Sequence, residues 1–275
     1  ARASTPPRPS PMAQEGVVPG PAGDIPVRIF RPEGRARALF LHLHGGGWVI
    51  GAPVMNDLAN EHLAKRHGLA VVSVDYRLAP EHPYPAGPDD CEAAARWLLE
   101  KGPAEFGAER MFIGGESAGG HLTLATGLRV RDRVHAADRL LGLNLVFGVY
   151  DLNGTPSWDD NGDRPDMLSA EGMRFMVECF TPGMDAAARR APDVSPLYAK
   201  LAGLPPCLVS VGGVDHLLDD SLFLAPRLAA AGVDVDLTVY PDSPHGFMAL
   251  PTKMAAAFAQ RLDGWIDRRL GTAGL

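Results

Sequence analysis

A mainly parallel α/β sheet with helices on both faces is the fold class that this sequence predicts. Two observations carry it. Apolar, β-branched runs such as LAVVSVDY (69–76) and LLGLNLVFG (140–148) read as strands buried on both faces. Segments with helical spacing alternate with them along nearly the whole 275 residues.

The elements follow in order. Residues 1–23 are rich in Pro, Ser, Gly and Ala and lack periodicity, so they read as an extended arm. IPVRIFRP (25–32) alternates like an edge strand, and ALFLHLH (38–44) is a second strand that stops at three glycines. Residues 56–67 are helical up to Gly68, and 69–76 form the next strand. DDCEAAARWLLEKG (89–102) is a helix with acidic residues in its first turn. MFIGG (111–115) is a strand leading into a helix over 117–132. Further strands fall at 140–148, 205–213 and 233–241, with helices at 220–232 and 252–270. Residues 151–200 break the alternation with short helical pieces and the acidic stretch WDDNGDRPD; they read as an insertion over one edge of the sheet. The expected organisation is therefore an arm or partial cap at 1–24 and one domain at 25–275 carrying that insertion at about 151–200.

Composition narrows the function. A formal net charge of −7 argues against nucleic acid as partner. No apolar run approaches the roughly 18 residues of a membrane span. Cys91, Cys179 and Cys207 are scattered, with no C-x-x-C pair, which points to neither zinc nor a disulfide framework. With no signal-peptide pattern visible, these features favour the cytoplasm. WDDNGDRPD misses the spacing of a calcium loop.

Four strand ends carry the chemistry. Gly115-Glu116-Ser117-Ala118-Gly119 is G-x-S-x-G, a strand-to-helix corner that lifts a serine hydroxyl above the sheet at a helix N-terminus. The pattern also arises by chance in Gly-rich turns, so it needs partners. A serine needs a base. His245, in the loop after the strand at 233–241, follows it in the chain. Asp215, just past the strand at 205–213, lies between the two and can orient the imidazole. Asp219 and Asp220 compete for that role, but they fall where a helix begins and suit an N-cap. In HLHGGGWVIG (42–51) the N–H groups of Gly45 and Gly46, partnered by that of Ala118, could hold an oxyanion. His42 and His44 share a strand face, yet no third metal ligand follows them. DYRLAPEHPYPA reads as a rigid loop running under the site.

His44-Gly45-Gly46-Gly47, then Asp75 to Ala86 in DYRLAPEHPYPA, then Gly115 to Gly120 in GESAGG resemble the hormone-sensitive-lipase-like esterases, bacterial family IV of the α/β-hydrolases. The likeness runs from about residue 16 to the C-terminus. It implies an α/β-hydrolase fold, a triad of Ser117, Asp215 and His245, oxyanion donors from Gly45, Gly46 and Ala118, and no cofactor or metal. It implies a small ester of a short- to medium-chain acid as substrate. Two departures stand out. The family more often has Asp or Thr where this chain has Glu116. The stretch before His44 is short, which implies a reduced cap supplied mainly by 151–200. An amidase such as an arylformamidase would use the same machinery. A ligand receptor on the same fold would tend to lose the base, which is present here. The final strand and helix offer an edge for a homodimer.

Overall fold

The computed structural model describes residues 9–160 and 168–275. Among them the apolar runs become the centre of an eight-stranded sheet. Its strands are β1 (Gln14–Gly20), β2 (Gly23–Phe30), β3 (Ala38–Leu43), β4 (Leu69–Val74), β5 (Met111–Glu116), β6 (Leu140–Val146), β7 (Cys207–Gly212) and β8 (Val235–Tyr240). Across the sheet they lie in the order β1-β2-β4-β3-β5-β6-β7-β8. β1 and β2 run antiparallel to their neighbours, and β3 to β8 are mutually parallel. Every residue of β3, β4, β6 and β7 is buried, as continuous apolar strands covered on two faces require.

The helices are α1 (Asp57–His67), α2 (Ala86–Glu105), α3 (Ala118–Arg129), α4 (Ser157–Asp160), α5 (Ala170–Phe180), α6 (Ala186–Arg189), α7 (Leu218–Ala230) and α8 (Lys253–Thr272). Alternation along the strands divides the core between two layers. Phe40 and Phe112 face Leu63 and Ala64 of α1 and Trp265 and Ile266 of α8. Leu39, Leu41 and Ile113 face Leu98 of α2, Leu122 of α3 and Leu224 of α7 on the other side. No helix among the described residues is long and apolar enough to cross a membrane.

One expectation changes. Residues 14–20, read as part of an extended arm outside the sheet, form β1 and pair with β2 from Gln14 opposite Ile29 to Gly20 opposite Gly23. This is an edge strand in which only Val18 is fully buried, so it carries almost no alternation to read. Its Pro19 is tolerated there for the same reason. The irregular stretch 151–200 supplies α4, α5 and α6, and Trp158, Met173 and Val177 from it form a wall of the cavity above the strand ends. Most of WDDNGDRPD lies outside the described residues.

Candidate active site

β5 turns into α3 through one residue, Ser117, with φ 57° and ψ −122°. Side chains rarely adopt that conformation, and it costs of order 1–3 kcal/mol. The flanking glycines make the corner possible, because a Cβ on Gly115 or Gly119 would overlap the carbonyl oxygen of Leu43. The hydroxyl is thereby held at the start of α3, where free N–H groups and the helix dipole favour negative charge.

His245 follows β8 and brings Nε2 to 3.1 Å from the Ser117 Oγ. Its Nδ1 lies 3.0 Å from each oxygen of Asp215. Asp215 is fully buried and its Oδ1 also accepts the Leu217 N–H at 2.8 Å, which fixes the carboxylate. The Phe147 ring packs 4.6 Å from the imidazole centre. Three residues separated by 98 and 30 positions thus meet in one hydrogen-bonded line.

Asp219 and Asp220 stand elsewhere. They do not cap α7, whose N-cap position is Leu217. Asp219 accepts the Ser157 N–H at 2.9 Å. Asp220 accepts from the N–H groups of Tyr150 (2.6 Å) and Asp151 (3.0 Å), the Thr155 hydroxyl (2.8 Å) and the Trp158 indole (3.0 Å). Burial pushes its carboxyl up to about 6, against the pull of those four donors. The pair therefore ties the 150–158 segment to α7, a role their position in the chain did not announce.

The glycine loop after β3 requires a further correction. The Gly45 N–H, expected to face an oxyanion, donates to Oε1 of Glu116 at 2.8 Å. Among the described residues, the N–H groups of Gly46, Gly47 and Ala118 donate to no protein acceptor. Gly46 and Gly47 line the cavity with Ser117. Gly46 has φ 120°, which only glycine accepts readily, and the carboxylate of Glu116 occupies the Gly45 N–H that the sequence assigned to an oxyanion. Burial pushes the Glu116 carboxyl up, but the bonds from His42 and the Gly45 amide outweigh it and hold the group below the ordinary glutamate range. His42 in turn bonds the Ser73 hydroxyl through Nδ1 at 2.7 Å, so it is a link in this chain of contacts.

His44 buttresses the same loop. Its Nδ1–H donates to the Gly45 carbonyl at 2.7 Å, and Tyr76 stacks on it at 4.2 Å. The Tyr76 hydroxyl donates to the His44 carbonyl at 2.7 Å, so the segment beginning DYRL does brace the glycine loop. His216 bonds the Trp158 carbonyl and lies outside the hydrogen-bonded line of Ser117, His245 and Asp215. Above Ser117 opens a cavity of about 580 Å³, lined by Trp158, Met173, Met176 and Val177. Ile50, Met55 and Leu58, all largely exposed, form part of its rim.

This geometry can be set beside known proteins. A family model described as alpha/beta hydrolase fold matches residues 40–249. The chain belongs to that family. It is 36% identical to carboxylesterase NlhH of Mycobacterium tuberculosis over 248 residues, covering 85% of this chain and 74% of that one. Among solved structures it is similar to a hyperthermophilic esterase from Pyrobaculum calidifontis, with TM-score 0.86, 29% identity, and 94% and 86% of the two chains covered. It is also similar to a hormone-sensitive lipase from a metagenome library, with TM-score 0.81, 34% identity, and 96% and 86% covered. The α/β-hydrolase fold and the resemblance to hormone-sensitive-lipase-like esterases read from the motifs therefore hold.

Proposed function

We propose that this protein hydrolyses carboxylic esters of short- to medium-chain acids through an acyl-enzyme on Ser117. It is a carboxylic ester hydrolase, in keeping with relatives named carboxylesterase and acetyl esterase. The observation that carries the serine mechanism is the imidazole of His245 held between the Ser117 hydroxyl and the Asp215 carboxylate. Nε2 takes the hydroxyl proton as Oγ attacks the ester carbonyl, and Asp215 stabilises the resulting imidazolium. The tetrahedral oxyanion is received by the N–H groups of Gly46, Gly47 and Ala118. Collapse breaks the ester C–O bond, and His245 returns its proton to the leaving alcohol. Water then enters by the same route, leaving free acid and free enzyme.

The cavity of about 580 Å³ suits a small-molecule ester, and residues 151–200 act as its cap. The acidic chain and scattered thiols suit a cytoplasmic setting. If two copies pair, the free edge of the sheet at β8 is where we place the contact.

The test is hydrolysis of p-nitrophenyl butyrate, with mass spectrometry after a fluorophosphonate probe. We expect one label per chain, on Ser117, and a loss of at least about 10³-fold in turnover for Ser117→Ala. Near-native turnover in that variant would remove the mechanism.

A further inference from the structure

We propose that His62, His67 and Asp263 form a binding site for a divalent transition-metal ion between α1 and α8. The three come from opposite ends of the chain, two from α1 and one from α8. Asp263 Oδ1 lies 2.9 Å from Nε2 of His62 and 2.8 Å from Nε2 of His67. One ligand atom from each of the three lies within 4.8 Å of the other two. The site shares no residue with the triad or the glycine loop.

A second observation distinguishes this group from an ordinary ion-pair cluster. The His67 side chain is fully buried, and its other nitrogen, Nδ1, faces Asp267 Oδ1 at 3.0 Å. Both ring nitrogens of one enclosed imidazole therefore face carboxylates. A neutral imidazole has one N–H, so it can serve only one of them and leaves a lone pair against the other. A metal ion on Nε2 resolves this. Nδ1–H then donates to Asp267, Nε2 offers its lone pair to the ion, and Asp263 becomes a ligand. Carboxylate, imidazole and metal in a row is the usual way proteins orient a histidine ligand. A second proton on the ring is the competing solution, and the experiment below separates the two.

The donor set selects the ion. Two imidazoles and one carboxylate suit Zn²⁺ and its neighbours, whereas Mg²⁺ and Ca²⁺ take oxygen ligands. Bonds of about 2.0–2.2 Å would spread the ligand atoms by a few tenths of an ångström from where they stand. His62 can give that room, because its side chain is half exposed and the Asp263 side chain is not fully enclosed. The same exposure leaves a position open to water. An ion here would fasten α1 to α8, the helix that follows the loop carrying His245.

Titration calorimetry and thermal melting of the chelator-treated full chain with ZnCl₂ test the proposal, with MgCl₂ as control. We expect one Zn²⁺ per chain, a higher unfolding temperature with Zn²⁺, and no response to Mg²⁺. His62→Ala removes an exposed side chain and should fold and turn over ester normally in the absence of metal. It should lose Zn²⁺ affinity at least tenfold, and Asp267→Asn should lose about 10- to 100-fold. Zn²⁺ binding of equal affinity in His62→Ala, or no binding up to millimolar Zn²⁺, overturns the site. Uptake that survives in His62→Ala but vanishes in His245→Ala puts the ion at the triad and overturns it equally.

Discussion

The backbone N–H of Gly45 donates to the side chain of Glu116 across 2.8 Å, joining the glycine loop to the residue immediately before Ser117. One carboxylate thus ties the glycine loop to the corner that holds the Ser117 hydroxyl, and on the proposed mechanism it sets the distance between the oxyanion donors and the nucleophile. Removing it as Glu116→Ala frees the loop and leaves the Gly45 amide without its acceptor. We expect kcat to fall by about 10- to 100-fold with KM little changed, since one well-aimed donor is worth about 3 kcal/mol in the transition state and the loop would be displaced, not lost. Glu116→Gln retains an acceptor for Gly45 and should recover most of the loss. Steady-state kinetics on both variants decide the matter, and a KM effect without a kcat effect would contradict this role.

Asp215→Asn tests the other end of the proposed catalytic line. The asparagine oxygen can keep the Leu217 N–H, so the loop should hold its shape. Its amide N–H₂ would then face Nδ1 of His245 and force that nitrogen to accept. The ring proton moves to Nε2, which can no longer take the proton of Ser117. Turnover should fall by about 10⁴-fold with unchanged circular dichroism. Turnover within tenfold of the native rate would show that Asp215 does not set the tautomer.

The hydrogen-bonded arrangement of Ser117, His245 and Asp215 was legible because each stands just past a strand that announces itself. The run MFIGG leads to Ser117, the run PPCLVSVGG leads to Asp215, and the alternation of 233–241 leads to His245. Chain order and the one-sided geometry of a parallel sheet then bring them together. What escaped the reading depends on backbone dihedrals and on contacts between distant segments. That the Gly45 amide is taken by Glu116 follows from the loop's backbone, with φ 120° at Gly46, and from a contact 71 residues away, and neither has a sequence pattern. The four bonds to Asp220 are equally silent, because its donors lie 62 to 70 residues away. β1 was missed because an edge strand with one enclosed side chain does not alternate.

Acid stability should report on two enclosed histidines. Burial pulls both His44 and His121 down to about 4. His121 has a visible reason to stay neutral. Nε2–H donates to the Val194 carbonyl at 2.9 Å, while Nδ1 accepts the Trp48 indole N–H at 3.1 Å, so a second ring proton would meet a donor. The unfolded chain takes up these protons near pH 6.5, and the folded chain only near 4. Their contribution is therefore complete above pH 6.5 and is lost as pH falls from 6.5 to 4, at about 3 kcal/mol for each group. Urea unfolding midpoints should fall across that window in the native chain. They should fall less steeply in His121→Gln, which cannot titrate there. Parallel curves would mean that His121 does not contribute.

Acyl length should be set by Met176 of α5. It lines the cavity with Ser117, and a Cβ on Gly47 would overlap its sulfur, so it packs directly on the glycine loop. Methionine fills space without polar demands and yields to a longer chain by changing rotamer. Tryptophan at this position would occupy volume that a medium-length acyl group needs, and its neighbours Met173 and Val177 are buried and have little room to retreat. A pocket gains or loses roughly 1–3 kcal/mol per methylene that it admits or excludes. Met176→Trp should therefore lower kcat/KM for p-nitrophenyl octanoate by about tenfold or more relative to the acetate, while the acetate rate stays close to native. Met176→Ala should move the preference toward longer chains. A uniform loss across acetate, butyrate and octanoate would instead indicate that the substitution had disturbed the glycine loop, and that the acyl group lies along another wall.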